Sequence, residues 1–156
     1  MDLRLTPVRL PAAVSAFCLG LALTLPNGAS AADIAWRQAT RPKVINTDQL
    51  AREGTATFKD GTTATVRTEG AFDKSGRATK DIKVATFKAK SQLKFQDGST
   101  ITTRYSGKVD SASYATSGSG EFVSGTGRYK GIKGTLTFDG RVSESDWVGQ
   151  YTLPKK

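Results

Sequence analysis

The chemistry open to this chain is bounded first by what is missing from it: 156 residues contain no histidine. That removes histidine-based triads, imidazole acid–base steps and the commonest zinc-ligand sets. The one cysteine, Cys18, lies inside an apolar N-terminal stretch. Carboxylates, tyrosines, lysines and hydroxyls are left to work with. A pair such as Asp110 and Glu121, or either of them with Tyr105, Tyr114 or Tyr129, would transfer protons if a cavity buried a carboxyl and raised its pKa. Spacing alone joins no two of them, and the surface is the ordinary place for a carboxylate. Gly125-Thr126-Gly127 has the look of a phosphate loop, but Lys130 stands where the dinucleotide fingerprint needs its third glycine. Glycines 125, 127, 131 and 134 instead fit tight turns and close approach of strands. Glu144 and Asp146, with Ser143 and Ser145, offer oxygens that suit calcium, yet the EF-hand spacing and central glycine are missing. A solvated turn before Trp147 accounts for them. No metal and no cofactor is expected.

The elements that must position these residues are strands. From Gly54 onward the pattern repeats every two residues: Ala56 and Phe58 alternate with polar neighbours, Asp60-Gly61 turns the chain, and Ala64 and Val66 resume the alternation. Phe58–Arg67 (FKDGTTATVR) returns as Phe95–Arg104 (FQDGSTITTR), which predicts two similar hairpins in one sheet. Ile82 and Val84 fall on one phase and Ala85 and Phe87 on the other, predicting a bulge or corner there. Ile101, Thr103 and Tyr105 share a face; Ser111–Gly120 reads as a loop or weak strand; Leu136, Phe138 and Val142 share a parity; Trp147, Tyr151 and Leu153 mark the last strand. No window carries a helical period with caps. About eight short strands in hairpin order favour closure into an up-and-down barrel, which removes the free edges. Such an interior is either filled by side chains or holds one small ligand. The residues expected to line it are Phe58, Phe95, Tyr105, Phe122, Phe138 and Trp147.

Residues 1–31 read as a secretory signal peptide: Arg4 and Arg9, an apolar run from Ala12 to Leu25, the break at Pro26-Asn27-Gly28, and an Ala29-Ser30-Ala31 cleavage site. The run is too short to span a bilayer comfortably, and no second long apolar segment follows, so no transmembrane anchor is expected in the mature chain. Residues 32–53, with Trp36, Pro42 and several charges, read as a lead-in segment with one short strand or turn, and 54–156 as the β-barrel domain. The expected location is the periplasm or the exterior. Two of the 23 basic residues and one of the 14 acids lie in residues 1–31, leaving 21 against 13, a net +8. Such a surplus attracts anionic partners, although lysines such as Lys80, Lys83, Lys88, Lys90 and Lys94 also serve to protect strand faces and edges from aggregation. Nucleic acid is not an expected partner, because aromatics do not interleave with the basic residues and no recognition motif is present.

At Gly125–Phe138, GTGRYKGIKGTLTF, the chain resembles the allene oxide cyclase barrel-like superfamily, which includes the dirigent proteins and many exported bacterial proteins. The resemblance implies an eight-stranded antiparallel, calycin-like barrel with an apolar cavity, often a homo-oligomer. Relatives of that kind include cyclases and stereoselective coupling proteins that steer a reactive guest by cavity shape. The matched segment holds structural glycines, so it carries no catalytic residue across. Taken together, these readings lead to the expectation of an exported, non-catalytic barrel that binds a small apolar or amphiphilic ligand. The rivals are a barrel filled by its own aromatics that works through its surface, a cyclase or isomerase, and a basic module that docks on anionic envelope components.

Overall fold

A computed structural model describes residues 31–46, 49–73 and 84–155. Residues 1–30 of the expected signal peptide, which include Cys18, and Lys80, Ile82 and Lys83 lie outside the described residues. Eight strands follow one another: β1 Ala31–Asn46, β2 Gln49–Phe58, β3 Thr63–Phe72, β4 Val84–Phe95, β5 Thr100–Asp110, β6 Ala115–Thr126, β7 Lys133–Arg141 and β8 Glu144–Thr152. A single 3-10 turn, Gly127–Tyr129, precedes β7. Each strand pairs antiparallel with its neighbour in sequence, and β8 returns to β1 to close the barrel.

The lead-in segment is where expectation and structure part. Ala31–Asn46 is a full 16-residue strand, and Gln49 already begins β2. Its alternation was masked because two of its inward positions, Gln38 and Thr40, are polar though buried. Pro42 is the other irregular position of this strand. It sits where the β1–β2 register slips by one residue, so Lys43 has no partner across the ladder, and a bulge is where a strand tolerates proline. The bulge expected near Ala85 is not in β4, which alternates without interruption from Val84 to Phe95. The second slip lies between β5 and β6, where Val123 is the extra residue opposite Thr102 and Thr103.

The repeated decapeptides do form matching hairpins. Gly61 N donates to Phe58 O at 3.0 Å and Gly98 N to Phe95 O at 3.1 Å, while Phe58 N and Phe95 N donate to Thr62 O and Ser99 O. Only the glycines take positive φ, +82° and +81°, so these are three-residue loops with glycine in the left-handed position rather than two-residue turns. Asp60 and Asp97 each accept the amide two residues on, Thr62 N and Ser99 N, at 2.9 Å.

Inside, one inward row runs through the ladders from Phe58 to Trp36, Trp147, Phe138, Gly118, Gly107, Phe87 and Phe72. Rings fill this row except at the adjacent pair Gly118 and Gly107. A Cβ on Gly118 would stand 2.6 Å from the Phe138 ring, and one on Gly107 would stand 2.8 Å from it. The paired glycines therefore make the space in which Phe87 and Phe138 approach, their ring centroids 6.3 Å apart.

Candidate functional site

The two ends of the barrel differ because the residues on the inward parity differ. Toward the β2–β3, β4–β5 and β6–β7 turns the inward positions are apolar, with Phe58, Phe95, Phe122 and Ile132 buried. The glycine-spaced segment after β6 seals this end. Arg128 lies over the rings of Phe95 and Tyr129, at 4.8 and 5.0 Å from their centroids, and reaches Asp97 at 3.6 Å. Positive φ at Gly127 and Gly131 lets the chain double back tightly enough to place it.

Toward the opposite end the inward positions turn polar. Gln38 and Thr40 on β1, Arg52 on β2, Thr68 on β3 and Ser91 on β4 stand above Tyr105, Phe138 and Trp147. Thr68 and Ser91 hydroxyls are 2.6 Å apart, and Ser91 meets the Tyr105 hydroxyl at 3.0 Å. Burial pushes the Tyr105 pKa up, and its hydroxyl partners offset part of that. Trp147 donates its indole N–H to Ser145 at 2.8 Å. Among the described residues, no buried side-chain nitrogen or oxygen lacks a partner.

Arg52 is the charged side chain that borders this mouth among the described residues. Its Nε donates to Thr40 Oγ1 at 2.9 Å and its Nη2 to the Thr40 carbonyl at 3.0 Å. Burial lowers its pKa, with only Tyr105 acting in the other direction, yet a guanidinium stays charged in a protein. Among the described residues no carboxylate forms an ion pair with it. Beside it lies a cavity of about 60 Å³ bordered by Leu50, Phe72, Phe87, Tyr105, Phe138 and Trp147. Two waters occupy about that volume, whereas drug-sized ligands need about 300–1,000 Å³. An inserted group of a few heavy atoms fits, with the rest of any guest on the rim formed by Leu50, Phe72, Val109 and Val142.

Of the six residues expected to line the interior, Tyr105, Phe138 and Trp147 border this cavity, while Phe58, Phe95 and Phe122 pack in the half toward the sealed end. Among the described residues no side-chain hydrogen bond joins the acid–tyrosine pairs weighed for proton transfer, although Tyr114 N donates to the Asp110 carbonyl at 2.9 Å in the β5–β6 turn. Asp110 Oδ1 accepts from the amides of Ala112 and Ser113 in the β5–β6 turn. Glu121 is outside, 3.7 Å from Arg104. Tyr114 is 63% exposed, and Tyr129 belongs to the sealed end. Glu144 and Asp146 flank Arg37 at 3.5 and 2.9 Å on the outer wall, and no cluster of three or more metal-ligating side chains occurs among the described residues.

The sequence reasoning missed Arg52, Gln38 and Thr40. A signal existed, since Arg52 shares parity with Ala56 and Phe58, and Gln38 and Thr40 share parity with Trp36. No protein-family model matches the chain, and no curated protein matches it.

Proposed function

We propose that this chain is an exported, non-catalytic, calycin-like barrel that holds a small amphiphilic molecule at its open end, the acidic group of the guest on Arg52 and its apolar part against the rim. The observation that carries this reading is the half-buried guanidinium of Arg52, hydrogen-bonded among the described residues to Thr40 and facing a ring-lined cavity. A partly desolvated cation is stabilised by an anion that replaces its lost hydration. The cavity volume sets the size of the inserted group, about that of a carboxylate with one or two carbons. Aromatic rings below it and aliphatic side chains at the rim give the apolar remainder a surface. The positions of Asp110 and Glu121, outside the barrel, favour binding over proton-transfer catalysis. The resemblance in Gly125–Phe138 supports the calycin-like assignment, and the signal-like residues 1–31 support export.

The test compares decanoate with decanol, which share a tail, by the tryptophan fluorescence of the stacked pair Trp36 and Trp147, of which Trp147 borders the cavity. Hydrogen bonds to charged groups are worth about 1.5–3 kcal/mol, so decanoate is expected to bind at least about tenfold more tightly. Arg52→Met should erase that preference. Equal binding of the two, or no binding of either, overturns the proposal.

A further inference from the structure

The two indoles at the floor of the open end are each held by a side chain two residues along their own strand. Trp36 donates its N–H to Gln38 Oε1 at 3.4 Å, and Trp147 donates its N–H to Ser145 Oγ at 2.8 Å. Register makes these a matched pair: Trp36 faces Trp147 across the β1–β8 ladder, and Gln38 faces Ser145. An indole N–H only donates, so the Gln38 atom it meets is the oxygen and the amide nitrogen is turned away from it.

Gln38 is only 5% exposed, and its Nε2 has no acceptor among the described residues. Every fully enclosed side-chain nitrogen and oxygen among those residues has a partner. Nε2 therefore opens onto the cavity that Gln38 borders together with Ser145 and Arg52. Ser145 is in the same position, its oxygen engaged by Trp147 and its hydrogen without an acceptor among the described residues. Thr40 Oγ1 is engaged in turn by Arg52. Thr116 is the opposite case, since its hydroxyl donates to the Lys108 carbonyl at 3.1 Å. Around Arg52 the cavity is thus bordered by groups whose oxygens are already taken and whose hydrogens are not.

We infer that Gln38 and Ser145 complete the anion site, donating from Gln38 Nε2 and Ser145 Oγ to the guest oxygen that Arg52 leaves unbound. This rests on the reading of Arg52 as the partner of the guest's acidic group, and it narrows that group to one with two adjacent acceptor oxygens. A carboxylate is the smallest such group, and its oxygens accept without bringing a hydrogen. An amide or amine of the same size would turn hydrogens toward hydrogens, which selects against it.

The experiment follows the Gln38 side-chain amide by heteronuclear NMR of the isotope-labelled full-length protein. Its signal, assigned by its loss in Gln38→Glu, should move saturably with sodium acetate and stay in place with sodium chloride of equal strength. Binding of decanoate and decanol is then measured by calorimetry. Ser145→Ala should shrink the preference for decanoate about two- to tenfold, as the loss of one hydrogen bond does. Gln38→Glu keeps an acceptor for Trp36 but sets a carboxylate against the guest's own, so decanoate should weaken by more than about tenfold while decanol is spared. An amide signal indifferent to acetate, or an unchanged preference in both variants while Arg52→Met still erases it, overturns the inference and leaves the role of Arg52 standing. Equal loss of decanoate and decanol in both variants also overturns it, because Gln38 and Ser145 would then only support the indoles. An amide signal that responds to acetate in a protein that binds no decanoate upholds the carboxylate site and removes the amphiphile.

Discussion

Trp36 of β1 lies directly across the ladder from Trp147 of β8, and the two indoles stack with centroids 5.4 Å apart and planes 13° from parallel. This contact joins the first strand to the last. Phe138 continues the stack on Trp147 at 4.3 Å, and Tyr105 meets Trp147 edge-on at 4.9 Å. Closure and the floor of the open end therefore rest on the same rings.

Trp36→Ala removes the β1 half of that contact. Buried Trp→Ala changes cost about 3–5 kcal/mol, so the urea midpoint should fall by that amount divided by the slope of unfolding. Trp36→Phe should lose clearly less, because it still fills the space beside Phe58, now 5.6 Å away.

Gly118→Ala tests why glycine stands there. The added methyl meets the Phe138 ring and the backbone of β5, and overpacking of this kind costs about 1–3 kcal/mol. Thermal melting should show the loss, with Gly107→Ala behaving alike. An unchanged melting temperature would mean that the rings are not held under the glycine pair.

The buried Tyr105 hydroxyl has its pKa raised by burial. Because the folded form holds the proton more tightly than the unfolded chain, whose tyrosines titrate near about pH 10, stability is full below that pH and falls as pH rises above it. Tyr105→Phe should flatten this alkaline loss. At neutral pH it should cost about 0.5–1.5 kcal/mol for the hydrogen bond to Ser91.

At the acid end, Asp60 and Asp97 have depressed pKa values, chiefly through the backbone amides of Thr62 and Ser99. Their contribution is present above the unfolded-state value of about 3.9 and is lost as pH falls through the lower folded-state value. Asp60→Asn and Asp97→Asn should each shift the acid-unfolding curve so that less stability is lost below about pH 4.

Most strands from Gly54 onward are legible because alternation, hairpin glycines and β-branched residues agree along them; the first half of β6, read as a loop or weak strand, is obscured by the glycines at its inward positions Gly118 and Gly120. The twin hairpins at Asp60-Gly61 and Asp97-Gly98 show how far this goes: ten residues of shared sequence give the same hydrogen bonds twice. β1 is harder to read, since burial there includes Gln38 and Thr40, whose polarity is compensated by contacts with residues distant in sequence. Thr40 receives Arg52 from β2, a pairing that no local pattern encodes. The polar mouth is hidden for the same reason. Composition identified the aromatics, but which of them border space and which pack against each other depends on the glycine row opposite them.

The central claim is the closed barrel, with β1 paired to β8. Ala35 and Val148 face each other outward across that ladder, and directly opposed strand residues lie within the Cα separation that a disulfide spans. In a Cys18→Ser background, Ala35→Cys with Val148→Cys should oxidise to an intramolecular disulfide in the folded monomer, while Thr65→Cys with Val148→Cys should not. Free thiols in the first pair under oxidising conditions, or cross-links only between molecules, would contradict closure.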